Sequence, residues 1–167
     1  MQLHTLKGGS WMKELKKAVM ITALAAFVVG PVSAEEMPDL SVMMQKATKF
    51  AKQSREGRTK GNLGAIRSAL SIYYGDHQGR YPTNLSELTL EGRYLRSIPN
   101  ADTAVAGENP TSAVTIIMGV QTEEELIGKL KDTGGWAYVA DSKSPLWGWL
   151  VVDCTHADSK GNLWHRY

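Results

Sequence analysis

Two groups near the C-terminus carry residue types from which chemistry could be built. Asp153, Cys154, Thr155 and His156 are consecutive. Alternate residues of an extended segment share a face, so Cys154 and His156 would point the same way, as a thiol nucleophile and its base must. The surroundings do not complete that chemistry. No oxyanion motif accompanies the pair, and no helix N-terminus stands ready to lower the thiol pKa. A single cysteine on a strand reads instead as a small buried residue. The second group, Asp153, Asp158, Ser159 and Asn162, offers oxygens around the turn Asp158-Ser159-Lys160-Gly161-Asn162. That same string is also a good hairpin turn.

Nothing else in the chain strengthens an enzymatic reading. His4, His77, His156 and His165 are scattered without metal-ligand spacing. There is no phosphate loop, no Ser/His/Asp order and no basic stripe with interleaved aromatics. The expectation is a non-enzymatic protein with no nucleic-acid partner.

The elements that must position these residues begin with a segment that reads as an address rather than as fold. Lys13, Lys16 and Lys17 precede an apolar run, residues 18–29, which ends in Gly30-Pro31-Val32-Ser33-Ala34. That is the pattern of a secretory signal cut after Ala34. Residues 1–34 are therefore assigned to the signal, with residues 1–11 as an upstream extension before Met12. The run is shorter than the roughly 20 residues of a spanning helix. The protein is thus expected to be exported, periplasmic or secreted. The competing reading keeps residues 18–34 as an inner-membrane anchor, and only then does the membrane become a partner. Removing residues 1–34 leaves 15 Lys+Arg against 16 Asp+Glu, so the whole-chain charge of +2 does not argue for a polyanionic partner. Residues 35–167 suffice for one domain, held by packing alone because Cys154 has no second cysteine to pair with.

Along that domain, Leu40, Met43, Met44, Ala47, Phe50 and Ala51 recur at helical spacing, with Lys46, Lys49 and Lys52 opposite. Gly57, Gly61 and Gly64 follow. Each costs about 1 kcal/mol against alanine inside a helix. Two readings stand: an interhelix loop, or one long helix whose glycines let another chain approach closely. Leu63, Ile66, Leu70 and Tyr73 then mark a second helical stripe, closed by Gly75 and Gly79 and by Tyr81-Pro82. Asn84 or Ser86 caps a short helix over residues 87–94, and Thr122 caps another over 123–131. Residues 100–112 read as a surface loop, and 114–120 as a buried-type apolar run. Strands are expected over 134–138, 146–153 and 163–167, an antiparallel meander dense in Trp136, Tyr138, Trp147, Trp149 and Trp164. The tryptophans read as core, with a carbohydrate or partner platform as the sharper alternative.

The junction over residues 60–82 resembles that of type IV pilin-like proteins, above all the major pseudopilin of type II secretion. There a helix ending in a Tyr-Tyr-like pair meets a Gly-x-Tyr-Pro turn, matched here by Tyr73, Tyr74, Gly79, Tyr81 and Pro82. Leu95, Ile98 and Pro99 resemble a later step of the family, and residues 134–167 its C-terminal strands. The resemblance implies an α+β, pilin-like fold, an N-terminal helical spine packed on a small antiparallel sheet. It implies a structural or interaction protein of the cell envelope linked to type II secretion or type IV pilus-type assemblies. Its partners would be other pilin-like subunits or secreted cargo, with Gly57, Gly61 and Gly64 as helix-packing positions. The alternative is a soluble periplasmic or secreted binding module that reuses the head without assembling. The family's apolar anchor follows its leader, whereas here the apolar run precedes Gly30, so a cleaved chain would keep the head and lose the shaft. Major pseudopilins also bind calcium in a C-terminal loop, which by resemblance makes Asp153, Asp158, Ser159 and Asn162 a candidate Ca²⁺ site; no other cofactor is expected.

Overall fold

One uninterrupted helix organises the chain. In the computed structural model, which describes residues 39–167, α1 runs from Leu40 to Asp76. The expectations for residues 1–34 lie outside the described residues. The choice left open at Gly57–Gly64 resolves as a continuous helix. Glu56, Thr59, Leu63, Ile66, Ala69, Leu70 and Tyr73 are buried along one side of it, and that packing outweighs the weak propensity of the glycines. The helix stops through Gln78 and Gly79, both at positive φ, with the Gly79 N–H donating to the Tyr74 carbonyl.

The exit from α1 is knotted by one carboxylate. Glu87 accepts hydrogen bonds from the Tyr73 hydroxyl at 2.7 Å, the Thr83 N–H at 2.9 Å and the Thr83 hydroxyl at 2.6 Å. With Asn84 it closes a capping box on the 3-10 helix Leu85–Gly92, which stands where an α-helix over 87–94 was expected. Burial alone would raise the Glu87 carboxyl, but these donors hold it below its ordinary value. A depressed carboxyl stabilises the fold above its unfolded pKa and loses that contribution as pH falls through the folded one. Glu87→Gln is therefore expected to cost about 1–2 kcal/mol at pH 7 in urea unfolding. The gap from the wild type should close as the buffer is taken below about pH 4.

Three short strands form the sheet: β1 Val114–Ile117, β2 Trp136–Val139 and β3 Leu150–Val152, in the order β1-β2-β3. β2 and β3 are antiparallel, with Trp136 opposite Val152. β1 and β2 are parallel, with Val114 opposite Trp136. The sheet is thus mixed, which corrects the antiparallel meander expected from sequence. Residues 163–167 do not supply its third strand; Trp164–Arg166 is a 3-10 turn, tied back by the single bridge Ala157–Leu163. The connection from β1 to β2 carries a helix, α2 Glu123–Ile127, capped by Thr122 as expected, and a helical crossover of that kind is what a parallel pair requires.

Both faces of the sheet are covered within the unit Ser41–Tyr167. Trp136, Tyr138, Leu150 and Val152 pack with Leu63, Ile66, Leu70 and Tyr73 of α1 and with Trp164. Ala137, Val139 and Val151 pack with Ile117, Val120 and Leu126 on the other side. The fold is α+β. Of the aromatics expected in the core, Trp136, Tyr138 and Trp164 are fully buried, whereas Trp149 is 44% exposed. The Trp136 indole donates to the Pro99 carbonyl at 2.8 Å. Glycine is required at Gly148, at φ +86°, where a methyl would stand 2.5 Å from the Tyr81 ring.

Candidate functional site

Two features of this fold present chemistry that the packing itself does not need. The first is a line of residues along α1 that, from Gly57 onward, lies opposite the buried side marked by Leu63, Ile66 and Leu70. Leu40, Met43, Ala47, Phe50, Ser54, Gly57, Gly61, Gly64, Ser68 and Ser71 are all exposed. Their spacing alternates three and four residues without a break, the 3.5-residue repeat by which one helix seats against another. Leu40 is 71% exposed and Phe50 74%. From Ser54 onward every seam residue is small. Ser68 and Ser71 turn their hydroxyls back onto the carbonyls of Gly64 and Arg67, so they present little polar surface. A methyl added at Gly57, Gly61 or Gly64 would meet nothing within 4 Å. No turn and no close approach within the unit calls for glycine there. The sequence reading singled out the three glycines and the apolar residues before them but did not join them; the 3-4 spacing running through both was the available signal.

The C-terminal loop is clasped to the buried side of the same helix. The Glu56 carboxylate accepts from the Ser159 N–H at 2.9 Å and from its hydroxyl at 2.5 Å. The Lys60 ammonium lies 2.6 Å from Asp158 and 2.8 Å from the Tyr167 hydroxyl, over the Tyr167 ring. Burial works against the Asp158 charge, but Lys60, Tyr167 and the N–H groups of Lys160 and Asn162 hold its carboxyl far below the usual range. The four oxygens proposed for calcium are divided. Asp158 and Asn162 sit in this clasp, and Ser159 is engaged by Glu56. The Asp153 carboxylate is buried elsewhere, accepting from Thr115, Thr133 and the Lys131 N–H. A calcium ion at Asp158 would have to displace the Lys60 ammonium.

The second feature gathers Cys154 and His156 with two carboxylates from distant segments. Sγ of Cys154 is 3.4 Å from Glu108 Oε1 and 3.6 Å from His156 Nδ1. His156 Nδ1 is 3.4 Å from the same Glu108 oxygen and 3.9 Å from Asp132 Oδ1. Glu108 comes from the loop before β1, Asp132 from the loop after α2, and the other two from the segment after β3. Cys154 is fully buried, and the His156 side chain is 53% exposed. Burial, with the Glu108 charge beside it, pushes the Cys154 thiol up to about 12. The thiol therefore donates to Glu108 as S–H rather than standing as a thiolate beside an imidazole base. Glu108 and Asp132 had no local signal in the sequence, since only the tertiary fold brings them to Cys154.

A cleft of about 540 Å³ lies along β3, lined among others by Arg67, Tyr81, Gly148, Trp149 and Arg166. One cation lining it is already committed, because Arg67 donates to the Leu150 and Tyr167 carbonyls. Among the described residues, no helix is long and apolar enough to cross a membrane. Comparison of the chain with family models, curated proteins and solved structures returns no match.

Proposed function

We propose that this chain is a non-enzymatic, pilin-like structural protein of the cell envelope, exported from the cytoplasm, that docks on the helices of other pilin-like subunits in an assembly of the type II secretion or type IV pilus kind. The observation that carries the reading is the unbroken 3-4 seam on the exposed side of α1. From Glu56 to Tyr73 two opposite seams run along this helix, and among the described residues the fold buries one of them. Small residues on the free seam allow two helix axes to approach closely, which rewards the glycines that cost the isolated helix stability. The full burial of Cys154, out of reach of a substrate, supports a non-catalytic role. The Tyr-Pro junction tied by Glu87 supports the pilin-like plan of a helical spine leading into a head.

Sedimentation of the full chain extracted from its own envelope tests this. The wild type is expected to sediment in assemblies larger than one chain. Gly61→Leu, whose side chain enters open space, should keep the far-UV spectrum and sediment as one chain. A wild-type protein that behaves as a single chain in that extract would favour the soluble binding module instead.

A further inference from the structure

We propose that Glu108, Asp132, Cys154 and His156 form a four-ligand site for a divalent transition metal, zinc by its ligand chemistry, that staples three loops of the head together. The ligand atoms all lie within 4.8 Å of one another. Zinc holds S, N and O ligands at about 2.0–2.3 Å in a tetrahedron, whose edges are then about 3.3–3.8 Å. Separations of 3.4, 3.4, 3.6 and 3.9 Å between these ligand atoms fall at or close to that edge length. Small movements of side chains would close the site on an ion, the Cys154 thiol proton leaving to solvent as the sulfur binds.

Charge and burial argue for a cation at this point. Two carboxylates converge with a thiol on one imidazole. Among the described residues no lysine or arginine pairs with Glu108 or Asp132, and the Glu108 side chain is only 9% exposed. A carboxylate so buried is normally paired or coordinates a metal. The outer contacts hold the ligands in place, as they do around metal sites. Thr103 donates to the second oxygen of Glu108. Thr155 donates to both oxygens of Asp132, at 2.9 Å from its hydroxyl. The Glu108 side chain lies against Gly134, at φ +71°, where a methyl would come 2.9 Å from Oε2. His156 and Asp132 face solvent and leave a path for entry, with Asp132 37% exposed. The mixture of thiol, imidazole and carboxylate selects zinc over calcium, which takes oxygen ligands.

The test uses the untagged full chain, stripped with a chelator and dialysed against micromolar zinc, with metal content read by mass spectrometry. One zinc per chain is expected, together with a higher midpoint of thermal unfolding that the chelator reverses. Cobalt in place of zinc should give thiolate charge-transfer absorption, and Cys154→Ser should abolish it. Two further variants, His156→Ala at the exposed edge and Glu108→Gln, each remove a direct ligand. Each is expected to weaken zinc binding by at least about 100-fold, the upper end of what loss of an outer-shell partner costs, while the fold survives. A folded wild-type chain that retains no zinc overturns the proposal. So does zinc bound with unchanged affinity by both His156→Ala and Glu108→Gln, because the ion would then sit elsewhere.

Discussion

Replacing Gly57, Gly61 and Gly64 together by alanine is expected to make the single chain more stable and its assembly weaker. Each glycine lies inside a continuous helix, is exposed, and has open space at its missing Cβ. Alanine restores helix propensity worth about 1 kcal/mol at each position. The triple variant should therefore gain about 2–3 kcal/mol in denaturant unfolding, a shift of roughly 10 °C in Tm for a domain of this size. The same three methyls would stand between α1 and any helix seated on its free seam, so sedimentation should move towards the single chain. Opposite signs in the two experiments are the signature of a glycine face kept for docking. Gains in stability with unchanged assembly would mean that the seam is not the contact.

The second large effect is expected at Lys60. Among the described residues its ammonium is the one cation on Asp158, whose side chain is fully buried, whereas the Lys60 side chain is 28% exposed. Lys60→Met keeps the aliphatic stem and removes the charge. Asp158 retains the Tyr167 hydroxyl and two backbone N–H groups, which limits the damage. Breaking a buried pair costs about 3–5 kcal/mol where nothing else compensates; here about 2–3 kcal/mol is expected, since the lysine is partly in water. The loss should be read by urea unfolding. It should also appear as faster amide exchange confined to the loop around Asp158 and Ser159, because that loop is clasped to α1 by Lys60 and Glu56. Uniform exchange across the sheet would place the effect elsewhere.

Local signals were legible in the sequence. The stripe Leu63, Ile66, Leu70, Tyr73 is the buried side of α1 because a repeat of three and four residues admits no other element. Asn84, one of the two caps expected there, and Thr122 do cap helices, since a side-chain oxygen before an orphan N–H works wherever it occurs. The helices differ from the expected 87–94 and 123–131: a 3-10 helix Leu85–Gly92 and a short Glu123–Ile127. Continuity through Gly57–Gly64 was not legible, because propensity argued for a break while the packing of Glu56, Thr59 and Leu63 decided against it. Strand direction was hidden as well. Val114–Ile117 announces burial but not whether its neighbour runs parallel, and Leu163–Tyr167 has the composition of a strand without a partner to pair with. Of the four-ligand cluster only Cys154 and His156 are neighbours in sequence; Glu108 and Asp132 join them through the crossover that brings β1 beside β2.

The most direct test of the free seam is position-specific photo-crosslinking of the full chain in its own cells. A photoreactive residue would replace Phe50 or Met43, the large side chains on the seam, and Lys49 or Arg58, exposed but off it, as controls. The account predicts discrete adducts from Phe50 and Met43, each containing a second helix-bearing subunit, and none from Lys49 or Arg58. Folded protein that gives no adduct from the seam, or equal adducts from all four positions, would contradict it.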